Sequence, residues 1–173
     1  MPSERLTFHP ANLVRTATSA DADAVARIYN YYVQNTVITF EEEAVPATAM
    51  AARIAEAQEQ SLPWLVAEVD GSIAGYAYAR PWRPRSAYRY SAETTVYLDH
   101  GYEGRRIGTA LYSALLPLLR DRGVHVAIGG VALPNDASVA LHEKLGFERV
   151  ATFREVGFKH DRWVDVAYWQ LML

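Results

Sequence analysis

The feature that most constrains the fold is a strand-like run that leads through a short loop into an apolar helix, over residues 91–119. Residues 94–98 (Thr-Thr-Val-Tyr-Leu) have the β-branched and aromatic composition of a strand. Residues 99–106 contain glycines and arginines typical of a loop, and the leucines at 111, 115, 118 and 119 then recur at helical spacing. The start of such a helix presents free N–H groups and a positive dipole end, which suit a phosphate group.

The composition predicts one globular domain over residues 1–173, with the first twelve residues as a loosely ordered leader. Half of the residues are hydrophobic and 21% are charged, and the net charge of -3 argues against a nucleic-acid-binding surface. The absence of cysteine excludes disulfides, a cysteine nucleophile and a cysteine zinc site. No stretch reaches the ~20 apolar residues of a membrane helix, and the leader lacks the apolar core of a signal peptide. A cytoplasmic protein fits this composition.

Periodicity and turn residues predict the element order β-α-α-β-β-β-α-β-α-β-β, an α/β arrangement. A capping box of Thr18 and Asp21 precedes the first helix, and Asp70-Gly71 is a strong hairpin signal. Asn135 is the predicted cap of a short helix that Gly146 ends. The predicted strands are residues 13–16, 64–69, 73–80, 91–98, 125–131, 147–153 and 164–171, residues 36–40 are expected to be extended, and residues 48–58 form the second helix.

The loop at residues 104–110 (Gly-Arg-Arg-Ile-Gly-Thr-Ala) resembles the pyrophosphate loop of the GNAT acetyltransferases, which follows the pattern Arg/Gln-x-x-Gly-x-Gly/Ala. Gly108 fits this pattern. Glu103 stands where Arg or Gln is usual, and Arg106 stands where the first glycine is usual. For so short a motif, a strand–loop–helix connection without any ligand is the alternative.

Further segments extend the resemblance over residues 14–171, and together they are similar to the phosphinothricin and methionine sulfoximine or sulfone branch of the GNAT family. The segments are Thr39-Phe40, Pro81-Trp82-Arg83, Ala92-Glu93-x-Thr95-Val96-Tyr97, Leu133-Pro134-Asn135-Asp136, His142-Glu143-x-Leu145-Gly146 and Gly157-Phe158-Lys159-His160. The resemblance implies a mixed, mostly antiparallel central sheet with a splayed central strand and flanking helices. It also implies acetyl-CoA as co-substrate, no metal, and a homodimer.

The resemblance assigns a cofactor site to the central strand, the loop and the short helix. The residues implied are Val96, Tyr97, Leu98, Gly104, Arg105, Arg106, Ile107, Gly108, Thr109, Asn135 and Ser138. Glu93, in a strand flanked by Ala92 and Thr94, is the implied general base for the substrate ammonium. A surface position at a strand end, or an ion pair with Arg89, is the alternative for this carboxylate.

His142 lies seven residues after Asn135, where many GNAT enzymes carry a tyrosine near the cofactor sulfur. The resemblance therefore implies a catalytic role at the thiol, as an acid or a substrate contact. A histidine that only packs on a short helix is the alternative. The five histidines and the carboxylates show no metal-ligand spacing.

Four residues form the predicted acceptor pocket: Phe40, Arg83, Arg85 and Tyr88. Two guanidinium groups and a phenol can bind small oxyanions through several donors. The sequence thus predicts an acetyl-CoA-dependent N-acetyltransferase of a small amino-acid-like amine. Acetylation of a protein N-terminus or lysine, and a non-catalytic coenzyme A-binding module, are the alternatives.

Overall fold

The computed structural model describes residues 14–173, and its elements follow the predicted order. The helices are α1 (Ala22–Asn35), α2 (Ala47–Glu59), α3 (Ile107–Asp121) and α4 (Asp136–Lys144). The strands are β1 (Val14–Thr16), β2 (Trp64–Val69), β3 (Ser72–Pro81), β4 (Ser91–Leu98), β5 (Val126–Ala132), β6 (Glu148–Lys159) and β7 (Arg162–Met172). The predicted leader and residue 13 lie outside the described residues.

The strands form one sheet in the order β1-β2-β3-β4-β5-β7-β6. Every pairing is antiparallel except that of β4 with β5, which is parallel. This parallel pairing covers only the start of β4 and ends where Glu93 faces Ile128. Beyond that point β4 and β5 no longer pair with each other, and a gap opens between them in the middle of the sheet. The predicted splayed strand in a mostly antiparallel sheet is confirmed.

Turn geometry explains one correct prediction and one error. Asp70 and Gly71 both have left-handed backbone angles, as the tight β2–β3 hairpin requires. The turn between β6 and β7 uses the same conformation at His160 and Asp161. Because neither residue is glycine, the sequence gives no signal for this turn. The predicted end of β6 at residue 153 is wrong, since the strand continues to Lys159.

Within residues 36–40, expected to be extended, residues 37–39 instead form bends. Their contacts account for this. The Tyr29 and Thr39 hydroxyl groups are 2.7 Å apart, and the buried Lys159 ammonium donates to the carbonyl oxygen of Thr39 at 2.8 Å. The segment is therefore fixed to α1 and to the β6–β7 hairpin rather than to a strand edge.

The helices pack on the two faces of the sheet. α1 and α2 bury Val25, Ile28, Met50 and Ile54 on the face that carries Trp64, Val66, Tyr76 and Tyr97. α3 buries Leu111, Tyr112, Leu115 and Leu119 on the face that carries Ala77, Ala79, Ala92 and Trp169. Because side chains alternate along a strand, Glu93 points to the α1–α2 face and its neighbours in β4 point to α3.

Candidate active site

The gap between β4 and β5 opens into a cavity of about 510 Å³. Its walls come from the end of β4, the start of α3, β5 and α4. The predicted cofactor residues that line it are Val96, Tyr97, Leu98, Gly104, Arg106, Ile107, Gly108, Thr109, Asn135 and Ser138. Arg105 lies outside this lining, with its guanidinium carbon 4.9 Å from the ring centroid of Tyr102. The structure thus brings all but one of these residues to a single cavity.

Two residues of the loop before α3 have left-handed backbone angles. Gly104 has φ 76° and Arg106, the residue that caps α3, has φ 63°. This conformation explains why glycine is usual at the position of Arg106, since a side chain there costs about 1–2 kcal/mol. The first intrahelical bond runs from the Ala110 N–H to the Arg106 carbonyl. The N–H groups of residues 107–109 have no partner within the helix and are available to an anion.

Gly108 serves packing as well as binding. A Cβ at this position would lie 3.1 Å from Leu141 Cδ2. That separation is closer than an ordinary van der Waals contact, so the glycine lets α4 approach the first turn of α3. The close approach brings α4, with Asn135 at its N-cap, to the rim of the cavity. Asn135 Oδ1 accepts a hydrogen bond from the Ser138 N–H at 3.2 Å, which confirms the predicted cap.

His142 is buried beneath the cavity and uses both ring nitrogens within the protein. Nδ1 lies 2.7 Å from the Ser138 carbonyl oxygen, so it carries the proton and donates. Nε2 lies 3.1 Å from the Tyr112 hydroxyl, which in turn lies 3.2 Å from Thr94 Oγ1. Burial lowers the pKa of His142, because it disfavours the charged ring. The imidazole is therefore neutral near pH 7.

A glycine in β5 makes room for this ring. A Cβ at Gly129 would overlap His142 Nε2. Gly129, Tyr112 and Thr94 were missed in the sequence analysis. The available signal was Tyr112, because a phenol on the apolar face of a buried helix needs a hydrogen-bond partner inside the protein.

Glu93 lies at the last β4–β5 pair, where the gap begins, and its side chain is only 15% exposed. Its Oε2 accepts a hydrogen bond from Arg80 Nε at 2.9 Å and forms a salt bridge with the Arg80 terminal nitrogen Nη2, which lies 2.7 Å away. The alternative partner Arg89 is wrong, since that guanidinium lies over the Tyr90 ring instead. A Cβ placed on Gly130 would be 3.5 Å from the other oxygen, Oε1. Because Gly130 lines the cavity, Oε1 lies at the cavity end of the carboxylate.

A second, open groove of about 1120 Å³ lies on the other side of Glu93. Arg80, Arg83 and Arg85 line it together with Glu93. Phe40 and Tyr88 lie outside both cavities. The Phe40 ring packs on Gly157 of β6, and Tyr88 is 41% exposed in a short helical turn. The structure thus places two of the four predicted acceptor residues beside the predicted base.

Glu93 is the link between the two spaces. It lines the groove, and its Oε1 is close to Gly130 in the wall of the cavity. Within residues 14–173, no group of three or more potential ligands is arranged to hold a metal ion. No helix in the same range is long and apolar enough to cross a membrane.

The chain matches a known protein family over most of its length. The family model described as an acetyltransferase (GNAT) domain matches residues 14–168. The chain belongs to the GNAT acetyltransferase family. This confirms the predicted fold and, at the level of the family, the predicted acetyl-CoA-dependent N-acetyltransferase.

Characterised relatives of this GNAT chain cover nearly its whole length. Phosphinothricin N-acetyltransferase from Streptomyces viridochromogenes is 40% identical over 157 residues, which are 91% of this chain and 85% of that protein. L-methionine sulfoximine/L-methionine sulfone acetyltransferase from Salmonella typhimurium is 35% identical, covering 92% of this chain and 94% of the relative. The predicted resemblance to this branch is confirmed.

Solved GNAT structures superpose over the same range. The phosphinothricin acetyltransferase of Sinorhizobium meliloti, in complex with AcCoA, has a TM-score of 0.90 and 37% identity, covering 92% of this chain and 87% of that one. Ribosomal-protein-alanine N-acetyltransferase from Brucella melitensis has a TM-score of 0.91 and 38% identity, covering 93% and 99%. Both are similar to this chain in fold and in sequence.

Proposed function

We propose that this enzyme acetylates the α-amine of a small amino-acid-like acceptor, of the phosphinothricin or methionine sulfoximine type, with acetyl-CoA as donor. The observation that carries the proposal is the place of Glu93, between a cavity suited to the donor and an arginine-lined groove suited to the acceptor. A cytoplasmic location is part of the proposal, and the cysteine-free composition fits such a reducing compartment.

The cavity fits the donor through backbone groups. The free N–H groups at the start of α3 are the proposed ligands of the pyrophosphate. Residues 96–98 of β4 lie beyond the pairing with β5, so their edge is open to the pantetheine arm. When bound, acetyl-CoA supplies a thioester carbonyl for the amine to attack. Gly129 and Gly130 add no side chain of their own to the β5 side of the gap. The His142 ring packs on Gly129, and Tyr168 and Glu93 lie against Gly130.

Glu93 is the proposed base, because an amino acid arrives as an ammonium and must lose a proton before it can attack. Its Oε1 oxygen, close to Gly130, takes that proton. Arg83 and Arg85 line the groove beside it and bind the acceptor's anionic groups, which are costly to bury without charged donors. Phe40 and Tyr88 stay predicted contacts at the outer margin of the site.

His142 acts on the donor side. Its ring is neutral and both nitrogens are hydrogen-bonded, to Ser138 and Tyr112. We assign it the role of a neutral hydrogen-bonding group that holds the Tyr112 hydroxyl in place at the cavity floor, rather than that of a charged acid. Asn135 and Ser138, on the same helix, complete this wall.

The acceptor site is tested by alanine substitution of its arginines. Arg83→Ala and Arg85→Ala should each raise the acceptor KM by roughly ten- to hundredfold, because a charge-assisted bond to an anion contributes about 1.5–3 kcal/mol. Lysine at either position should restore little if the contact is bidentate. The measurement is steady-state kinetics with phosphinothricin, methionine sulfoximine and methionine sulfone.

The binding of acetyl-CoA should be unchanged in the same variants, since neither residue lines the donor cavity. Arg122→Met, an exposed arginine at the end of α3, is the matched control and should behave like the wild type. If both alanine variants acetylate these compounds as the wild type does, the acceptor site lies elsewhere.

A second candidate function is acetylation of a protein N-terminus, favoured by the similarity to the Brucella melitensis enzyme. The two candidates differ in the acceptor alone. Acetylation of an alanine-initiated peptide, combined with no reaction on any free amino-acid analogue, would replace the first proposal by the second. Consumption of acetyl-CoA with either acceptor would exclude a non-catalytic binding module.

The proposed assembly is a homodimer formed through the β6–β7 hairpin. β6 is an edge strand, and Val150, Phe153, Val156, Phe158 and Trp163 on this hairpin are each more than half exposed. A long edge strand with exposed apolar side chains is typical of a protein–protein interface. In a homodimer, the second copy of the chain presents the same surface.

The dimer is tested by sedimentation at micromolar concentration. The wild type should sediment as a species with twice the 19.3 kDa mass of one chain. Val156→Glu combined with Trp163→Glu should sediment as a monomer, because two charges at the centre of the patch oppose its burial. Ala55→Glu, on the exposed face of α2, is the control and should leave the mass unchanged. A monomeric wild type would refute this assembly.

A further inference from the structure

Arg80 and Glu93 form a cross-strand pair that the mechanism above does not use. They face each other in the β3–β4 register. Arg80 Nε donates a hydrogen bond to the carboxylate oxygen Oε2 at 2.9 Å, and Arg80 Nη2 lies 2.7 Å from the same oxygen in a salt bridge. The exposures are unequal, because the Arg80 side chain is 60% exposed and that of Glu93 is 15% exposed. A guanidinium at the groove surface therefore holds a carboxylate that lies deeper in the protein.

The other titratable neighbours of Glu93 are tyrosines. Tyr78 on β3 and Tyr168 on β7 are close enough to feel its charge, and so is Tyr112 on α3, which lies on the opposite face of the sheet. Burial raises the pKa of each phenol, so all three stay neutral across the physiological range. Arg83 contributes a second positive charge near Tyr168. Arg80 is thus the charged group in contact with Glu93 in the described part of the chain.

The contact makes the two carboxylate oxygens different. Oε2 accepts the hydrogen bond from Nε and is in salt-bridge contact with Nη2, whereas Oε1 lies near Gly130 at the wall of the donor cavity. A rotation of the carboxylate that exchanged the oxygens would break both contacts with Arg80. The arginine thereby fixes which oxygen meets the reacting amine.

We propose that Arg80 is a positioning residue that prepares Glu93 for catalysis by holding Oε2 and presenting Oε1 to the acceptor ammonium. This inference rests on the proposed role of Glu93 as base. In the step that it serves, one N–H bond of the ammonium breaks and one O–H bond forms at Oε1. The nitrogen keeps the electron pair with which it attacks, and Arg80 retains all of its protons.

The first test compares Arg80→Met and Arg80→Lys with the wild type. Arg80→Met should lower kcat by up to about a hundredfold, the cost of misplacing a reacting group by about 1 Å. Arg80→Lys, which keeps the charge but not the planar guanidinium, should restore only part of kcat.

Two controls separate this role from a structural one. The rise in melting temperature on adding acetyl-CoA should match the wild type in both variants, since Arg80 does not line the donor cavity. Arg122→Met should leave kcat unchanged. An Arg80→Met enzyme with the kcat of the wild type would overturn the inference.

A double-mutant cycle distinguishes failure of this inference from failure of the proposed function. If Arg80 acts through Glu93, Arg80→Met should cause no further loss in a Glu93→Gln background. Additive losses would show that Arg80 acts on the acceptor directly and would overturn the positioning role. Full activity of Glu93→Gln alone would instead remove the base assignment on which both proposals stand.

Discussion

The Glu93→Gln enzyme is expected to turn over roughly 10²–10⁴ times more slowly than the wild type, the usual range for the loss of a general base. Glutamine has nearly the same shape and keeps an oxygen that can accept the hydrogen bond from Arg80 Nε, so the surroundings of the side chain are preserved. It cannot take a proton from an ammonium at neutral pH. The measurement is kcat with a saturating acceptor and acetyl-CoA.

Donor binding provides the internal check on this variant. Glu93 lines the groove rather than the cavity, so acetyl-CoA should still raise the melting temperature. Glu68→Gln, on β2 and away from both spaces, is the matched control and should retain full activity. Near-normal turnover of Glu93→Gln from about pH 6 to about pH 9 would show that another group is the base.

Local signals in the sequence accounted for the order of the elements and for the strand–loop–helix unit that leads into α3. Asp70-Gly71 specifies a tight hairpin through its own backbone preferences, and Gly104 specifies a left-handed turn before α3. Such signals need no knowledge of distant residues. The resemblance then added what spacing alone does not contain, the gap between β4 and β5.

The residues that contact Glu93 and His142 are determined by strand register and helix packing, and the sequence alone does not reveal either. Arg80 meets Glu93 because β3 and β4 pair in one particular register, whereas proximity in sequence pointed to Arg89. Gly129 admits the His142 ring only because α4 packs across β5. These contacts join residues 13 apart in sequence in both cases, and they are fixed by tertiary packing rather than by local propensity.

The misplaced acceptor residues have a related cause. Phe40 was expected to line the acceptor pocket, but the bends at residues 37–39 direct its ring to Gly157. That contact requires β6 to extend to Lys159. No signal in the sequence indicates this extension, because the His160-Asp161 turn that follows it contains no glycine. One unrecognised turn therefore affected both the strand boundary and the predicted environment of Phe40.

Thr109→Asp is expected to abolish most acetyl-CoA binding without weakening the fold. Thr109 is the third residue of α3 and lines the donor cavity. A carboxylate in the first turn of a helix interacts favourably with the dipole, by about 0.3–1 kcal/mol. The same charge repels a pyrophosphate from the N–H groups of residues 107–109. The unliganded variant should therefore melt at or slightly above the wild-type temperature.

The loss of binding appears as a lost thermal shift. At a ligand concentration of 100 Kd, binding stabilises the native state by about 2.7 kcal/mol. For a chain of this length that free energy corresponds to a rise in melting temperature of roughly 5–10 °C. Thr109→Asp should show little of this rise, whereas Thr109→Asn, similar in shape but uncharged, should keep most of it. If the aspartate variant is stabilised by acetyl-CoA as strongly as the asparagine variant, the start of α3 does not hold the pyrophosphate.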